Sequence, residues 1–299
     1  MEEQYYKRVI EEYDEIIRLN PGCADAYYNR GTIYTSFGHL EQAIKDCDEA
    51  IRIDPLLVDA YINRGSIFHK LSRKKEAIKD YNKAIHLAPN DSTAYYNRAI
   101  IHDELGQFRR AIRDYDEAIR LNPQFVDAYV NRGWVYSEMR QYRRAINDYD
   151  KAIDMNPNTP EAYYNRGIAF CELRKYEEAI QDYDKAICFS PSTARSYYNR
   201  GYVYCMLRQY AKAIKDFDTV INLEPQFVEA YIGRGRGYLG LYKFEQALAD
   251  LNQAIRLGQQ LIAAYSYRSL VYRMMGKETE AQQDENHAKY LYSNRENRT

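Results

Sequence analysis

Six asparagines stand in step: Asn29, Asn63, Asn97, Asn131, Asn165 and Asn199 follow one another at intervals of 34 residues. An asparagine amide carries both hydrogen-bond donor and acceptor, the complement of a peptide group. A row of them suits the grip of another chain's main chain. Asparagine is also a poor helix former, so six in one register need a reason. One reason is such a ladder; the other is that each amide bonds a neighbouring helix. Two charged columns share the interval. Arg30, Arg64, Arg98, Arg132, Arg166, Arg200, Arg234 and Arg268 form one, and Asp46, Asp80, Asp114, Asp148, Asp182, Asp216, Asp250 and Asp284 the other. Guanidinium and carboxylate pair bidentately, which suits a partly buried site. The columns are therefore expected to pair between helices and fix their register; a row of anion sites is the alternative. Removing one partner would strand a buried charge at about 3–5 kcal/mol, so Asp148→Ala is expected to lower stability far more than Asp150→Ala.

Chemistry of other kinds leaves no pattern. His39, His69, His86, His102 and His287 fall at unrelated places in the interval. No HExxH, GxSxG or phosphate-loop motif occurs, and the carboxylates follow the repeat. No catalytic residue, metal site or cofactor is expected. The five cysteines, Cys23, Cys47, Cys171, Cys188 and Cys205, are odd in number and contain no CxxC. Reduced thiols in a cytoplasmic protein are the expectation. Formal net charge is −1, from 42 basic and 43 acidic residues in 299. Nucleic acid is an unexpected partner without a basic excess. The N-terminus is acidic and amphipathic rather than a signal peptide, and no apolar run reaches the ~18–20 residues of a membrane span.

The elements that carry these columns come from one unit. Taking Ala24 as place 1, repeats begin at Ala24, Val58, Ser92, Val126, Pro160, Ala194, Val228 and Ile262. Stacked repeats make one elongated body, so the period overrides a two-domain reading from length. Each repeat holds two amphipathic patterns with helical spacing. Glycine at place 8 in six of the eight copies costs ~1 kcal/mol against alanine, which implies that another helix passes too close for a side chain. Alanine recurs at places 20 and 27, and Pro21, Pro55, Pro89, Pro123, Pro157, Pro191 and Pro225 end the second helices. Short connections make each pair antiparallel.

Tyr at place 4, Gly at 8, Tyr at 11, Ala at 20, Tyr at 24, Ala at 27 and Pro at 32 resemble the tetratricopeptide repeat. The resemblance implies an all-α fold: a right-handed α-solenoid superhelix of antiparallel helix pairs, with first helices lining an inner groove. The place-6 asparagines are similar to the ladder in the superhelical tetratricopeptide region of O-GlcNAc transferase, which holds extended peptides by their main chain. The cochaperone branch clamps a C-terminal carboxylate with Lys at 5 and Asn at 9; no copy here has either, which disfavours that function.

The expected organisation is an unpaired second-type helix within 1–23, eight repeats over 24–295 and a tail at 296–299. Ser293–Thr299 is expected to fray. The last helix, with Glu278, Gln282, Glu285 and Lys289 where interior copies are mostly apolar or aromatic, reads as a polar cap. The seventh repeat has Gln259 in place of the proline and four glycines in its first helical pattern, Gly233, Gly235, Gly237 and Gly240. Looser packing is expected there.

Places 2, 5, 6, 9, 12 and 13 should face the groove. Trp134, Ile168 and Tyr202 at place 9 form a candidate apolar strip, or else pack against neighbouring helices. Tyr28, Tyr96, Tyr164 and Tyr198 add amphipathic rings, and Glu104, Glu138 and Glu172, with Asp103, add carboxylates. Such a lining prefers basic or apolar peptide segments. First helices ~10 Å apart and extended chain rising ~3.3 Å per residue let six rungs span ~15–18 residues. The expected function is a non-catalytic scaffold for another protein. The alternative is assembly through the ends: Val9, Ile10, Ile16 and Ile17 of the opening helix could pair with a second copy.

Overall fold

Every regular element in the computed structural model is α-helical among the described residues, 2–258 and 261–296. The chain divides into two compact units, Met1–Gln141 and Tyr142–Thr299. The first holds α1 Glu2–Leu19, α2 Ala24–Ser36, α3 Leu40–Ile53, α4 Val58–Lys70, α5 Lys74–Leu87, α6 Ser92–Glu104, α7 Phe108–Leu121 and α8 Val126–Glu138. The second holds α9 Tyr142–Met155, α10 Pro160–Glu172, α11 Tyr176–Phe189, α12 Ala194–Met206, α13 Tyr210–Leu223, α14 Val228–Gly240, α15 Phe244–Leu257, α16 Ile262–Met274 and α17 Glu278–Glu296. Each unit is an α-solenoid of antiparallel helix pairs. The even-numbered helices are the first helices of their repeats, and each begins at place 1.

The turns are local chemistry. Each first helix ends in a Schellman turn, in which the amide of place 16 donates back to the carbonyl of place 11; Lys175 N to Phe170 O is 2.8 Å. Place 15 takes positive φ. Gly38, Gly106 and Gly276 do so freely, but Ser72, Arg140, Arg174, Arg208 and Tyr242 hold φ of 57–59° as well. Between repeats an Asx turn sets the exit: the side chains of Asn20, Asp54, Asn122 and Asn156 each accept from the amide two residues on.

Small residues set the helix spacing. Alanines at places 20 and 27 are buried throughout, apart from Val220 at 27. At Gly65, Gly167 and Gly201 the place-8 glycine faces the place-24 ring of its own repeat. A Cβ added to Gly65 or Gly167 would fall 2.8 Å from the ring of Tyr81 or Tyr183. Both rings are almost wholly buried, so neither can move aside cheaply.

The paired columns form a ladder with one more member than the sequence suggested. Arg166 Nε and Nη2 donate to Asp182 at 2.8 and 2.7 Å, and its Nη1 donates to Asp150 Oδ1 at 2.5 Å. Asp182 belongs to place 23 of the same repeat, Asp150 to place 25 of the one before. The three-way arrangement recurs at Arg30, Arg64, Arg98, Arg200, Arg234 and Arg268, with Asn82 and Asn252 as the second acceptor of Arg98 and Arg268. Arg132 reaches Asp116 in the same way. Asp150, expected to stand outside the ladder, is therefore part of it. Each guanidinium also lies over the place-4 ring: Arg166 is 5.6 Å from the Tyr163 centroid and 5.8 Å from that of Phe170.

Two further expectations are corrected. The first helix of the seventh repeat, α14, packs closely, not loosely, on α13 of the repeat before. Its glycines admit neighbours: a Cβ on Gly240 would lie 2.5 Å from the Tyr210 ring, and one on Gly237 2.9 Å from Ile214. Gln259 lies outside the described residues. The segment from Ser293 does not fray at once, because α17 runs on to Glu296; 297–299 lie outside the described residues. In α17 the cap residues Glu278, Gln282 and Lys289 are exposed, and Glu285 bridges Arg273 at 2.8 Å and Lys289 at 3.0 Å.

The ladder separates two neighbouring carboxylates. The Asp182 side chain is 5% exposed and that of Asp150 48%. Asp182→Ala is expected to cost about 3–5 kcal/mol and Asp150→Ala about 0–1 kcal/mol in urea unfolding; equal losses would refute a buried rung. At the turns, Arg174→Gly is expected to raise stability by roughly 0.5–1 kcal/mol, by relieving left-handed strain, read as a higher urea midpoint.

Candidate functional site

The first helices bury places 3 and 8 and leave a polar stripe half-open. All six place-6 asparagines are half-buried. Three are engaged. Asn63 Nδ2 donates to Thr32 Oγ1 at 3.2 Å, Asn131 Nδ2 to the Tyr96 hydroxyl at 3.0 Å, and Asn199 Nδ2 to the Tyr164 hydroxyl at 3.1 Å. Asn29, Asn97 and Asn165 form no side-chain hydrogen bond among the described residues. The two sequence readings thus divide the row: half the amides bond a neighbouring first helix, and half do not.

For Asn97, Asn131 and Asn199 the difference lies at place 5 of the preceding repeat. Asn131 and Asn199 follow Tyr96 and Tyr164. Asn97 follows Ile62, whose side chain has no polar atom, and Asn63, which follows Tyr28, donates to Thr32 at place 9 instead. Asn29 has no first helix before it. The row ends at Gly233, where a Cβ would fall 2.5 Å from the Phe217 ring; the close approach of α14 removes the next rung.

The tyrosines are anchored from below. The Tyr96 ring lies 4.5 Å from Phe125 and 6.0 Å from Tyr115, and Tyr164 lies 6.1 Å from Tyr183. Burial raises the Tyr96 and Tyr164 phenols above the usual range, so both keep their protons at neutral pH. Tyr198 is packed between Phe217 at 5.9 Å and Phe227 at 5.2 Å, which leaves it in the core rather than on the stripe alone.

Of the apolar place-9 residues, Trp134 is 41% exposed and Tyr202 47%. Ile168 differs: it is half-buried and packs against the cluster of Ala179, Tyr183 and Val203, the second of the two expectations for place 9. Arg236 lies over the Tyr202 ring at 5.9 Å. Glu138 and Glu172 are exposed, and Glu172 accepts from the Tyr142 hydroxyl at 3.2 Å.

In the first unit Glu104 is already matched, by His69 Nε2 at 2.9 Å and Lys74 Nζ at 2.8 Å. Asp103 has no such cation among the described residues. Burial, with Glu138 and Glu104 nearby, pushes its carboxyl up to about 6. In the sequence Asp103 has only a passing role, because nothing in its column marks it out.

Cavities lie elsewhere. Two, of about 480 and 510 Å³, occupy the same slot of the third and first repeats, beside the Arg98 and Arg30 ion pairs. Another, of about 490 Å³, opens between α16 and α17 beside Leu270, Arg273 and Tyr292. None of the three is lined by a place-6 asparagine. Burial raises the thiols of Cys47 and Cys205 to about 12 and about 11, which makes them inert fillers. No helix among the described residues is long and apolar enough to cross a membrane.

No curated protein sequence matches the chain. Solved structures do. A tetratricopeptide repeat protein from Parabacteroides merdae ATCC 43184 is 24% identical, with a TM-score of 0.60 over 83% of this chain and 98% of its own. MamA is 26% identical, with a TM-score of 0.53 over 56% of this chain and 92% of its own. YrrB, described as a tetratricopeptide repeat protein with an unusual peptide-binding site, is 24% identical, with a TM-score of 0.52 over 61% of this chain and 94% of its own. Models of the tetratricopeptide repeat match residues 24–55, 58–91, 92–125 and 194–227, and related models of the same repeat match 114–147 and 131–194. Together with the helix pairs and their 34-residue register, these matches place the chain in the tetratricopeptide repeat family.

Proposed function

We propose that the chain is a non-catalytic interaction scaffold that holds an extended segment of another protein along its first helices, through the place-6 asparagines. Tetratricopeptide proteins generally mediate protein–protein interactions, and YrrB is described as binding peptide. The observation that carries the reading is the half-open row itself. Asn29, Asn97 and Asn165 keep every amide donor and acceptor unspent in a helix, where asparagine has no intrinsic advantage. Each unit offers its own stretch: Asn29 to Asn131 with Trp134 in the first, and Asn165 and Asn199 with Tyr202 in the second.

The partner segment is basic or apolar. Asp103 and Glu138 form no ion pair among the described residues, and the exposed ring of Trp134 stands on the helix of Glu138. Opposite charge steers such a segment in and selects against acidic ones. Assembly through the N-terminal helix is the second reading, supported by Ile16 and Leu19, 44% and 69% exposed. Light scattering at micromolar concentration tests it; a monomer removes it.

An array of random peptides of about 18 residues tests the first reading. Asn97→Ala/Asn131→Ala is expected to weaken the selected peptides about tenfold or more, two lost hydrogen bonds being worth roughly 1–3 kcal/mol. Binding that ignores both substitutions would falsify the row's role. Proton linkage gives a further check. Asp103 is neutral below about 6 and charged above it, and a ligand cation favours the charged form. Affinity for a lysine-bearing peptide is therefore expected to rise between pH 5 and 7.5, and Asp103→Asn to flatten that rise. The same slope in the variant would locate the titrating group elsewhere.

A further inference from the structure

Asn131 and Asn199 differ from the other rungs in one respect: each donates to a tyrosine hydroxyl on the preceding first helix. Those hydroxyls are not free rotors on a surface. Tyr96 is fixed by Phe125 and Tyr115, and Tyr164 by Tyr183, and both residues are half-buried. Tyr115, against which the Tyr96 ring packs, is 1% exposed. A chain of contacts therefore runs from the core through a ring to the amide.

One donated bond does not exhaust an asparagine. The amide has two N–H groups and an oxygen with two lone pairs. Asn131 and Asn199 each retain one N–H and the whole oxygen, which is enough to meet the N–H and C=O of one ligand residue. What they lose is the freedom to rotate. An amide held in place before the ligand arrives forfeits less entropy on binding than a loose one.

We propose that Tyr96 and Tyr164 are positioning residues, each of which sets the amide of the next repeat's asparagine for a ligand's main chain. Asn131 and Asn199 are then the rigid rungs, and Asn29, Asn97 and Asn165 the adaptable ones. This rests on the reading of the place-6 row as a peptide-holding surface and adds an order among its members. Tyr96 and Tyr164 at place 5 give rigid rungs and Ile62 leaves a loose one, whereas Asn63, which follows Tyr28, is tied to Thr32 at place 9 instead.

The test has two arms on the full chain. The first needs no ligand. NMR order parameters of the side-chain amides are expected to be higher for Asn131 and Asn199 than for Asn97 and Asn165. Tyr96→Phe should bring Asn131 alone down to the Asn97 level, and Tyr164→Phe should do the same to Asn199. Equal order in the wild type overturns the proposal whatever the chain binds. The second arm uses a peptide selected on the random array. Tyr96→Phe keeps the ring and its packing, so the melting temperature should hold while affinity falls about fivefold. Asn131→Ala should then add little in that background. Unchanged or tighter binding by Tyr96→Phe, with Asn131→Ala still harmful, refutes positioning and leaves the scaffold reading intact. A wild type that selects no peptide overturns both.

Discussion

The stacking of this chain depends on one guanidinium shared between two repeats. Arg166 closes a bidentate bond with Asp182 on the second helix of its own pair and reaches back to Asp150 in the pair before. A hydrophobic seam alone would let alanine-rich helices slide, because Ala, Ile and Leu tolerate small shifts. A fork with two fixed acceptors does not. Burial raises the Asp182 carboxyl while Arg166 pulls it down, so the pair contributes little net stability against an apolar substitute. Its contribution is register: the angle and offset at which each pair meets the next. The tyrosine at place 4 supports the same cation from its ring face, which keeps the arginine in one rotamer.

The glycines make the complementary point. At place 8 the absent side chain lets the place-24 ring seat itself, as with Gly167 and Tyr183. In α14 the same device is used at more places, and the outcome is closer approach rather than looseness. Glycine lowers helix propensity by ~1 kcal/mol, but a tightly packed neighbour offsets that cost. Composition alone reports the first effect and is blind to the second. That is why the first helix of the seventh repeat reads as loose in the sequence and packs closely in the fold.

The period made most of the architecture legible. Helix starts, the Arg and Asp columns and the glycine contact all follow from residues that recur in step. What stayed hidden lay in columns whose members alternate. Place 25 holds Asp14, Asp48, Asn82, Asp116, Asp150, Asp184, Asp218 and Asn252. Every member can accept a hydrogen bond, and that shared property was the available signal. Place 5 mixes Tyr28, Ile62, Tyr96, Val130, Tyr164 and Tyr198, and its consequence appears one repeat later, on a different side chain. A partner displaced by 35 residues, as Tyr96 is from Asn131, leaves no mark within a single 34-residue unit. Asp103 was equally illegible, since its raised carboxyl arises from burial and from Glu138 on the next first helix.

The inner ladder also explains why the polar stripe has a direction. Places 6 and 7 are chain neighbours, so their side chains leave the helix about 100° apart. Once Arg166 is held between the helices by two carboxylates, Asn165 must emerge on the adjoining face. The same holds at Asn97 beside Arg98 and at Asn199 beside Arg200. A helix free to roll by one residue's turn would bury the amide and expose the cation. The ion pairs that look purely structural therefore aim the asparagines. A surface meant to read another chain's main chain needs its donors and acceptors at regular spacing and at constant angle. The 34-residue period supplies the first requirement, and the arginine locked inside each pair supplies the second.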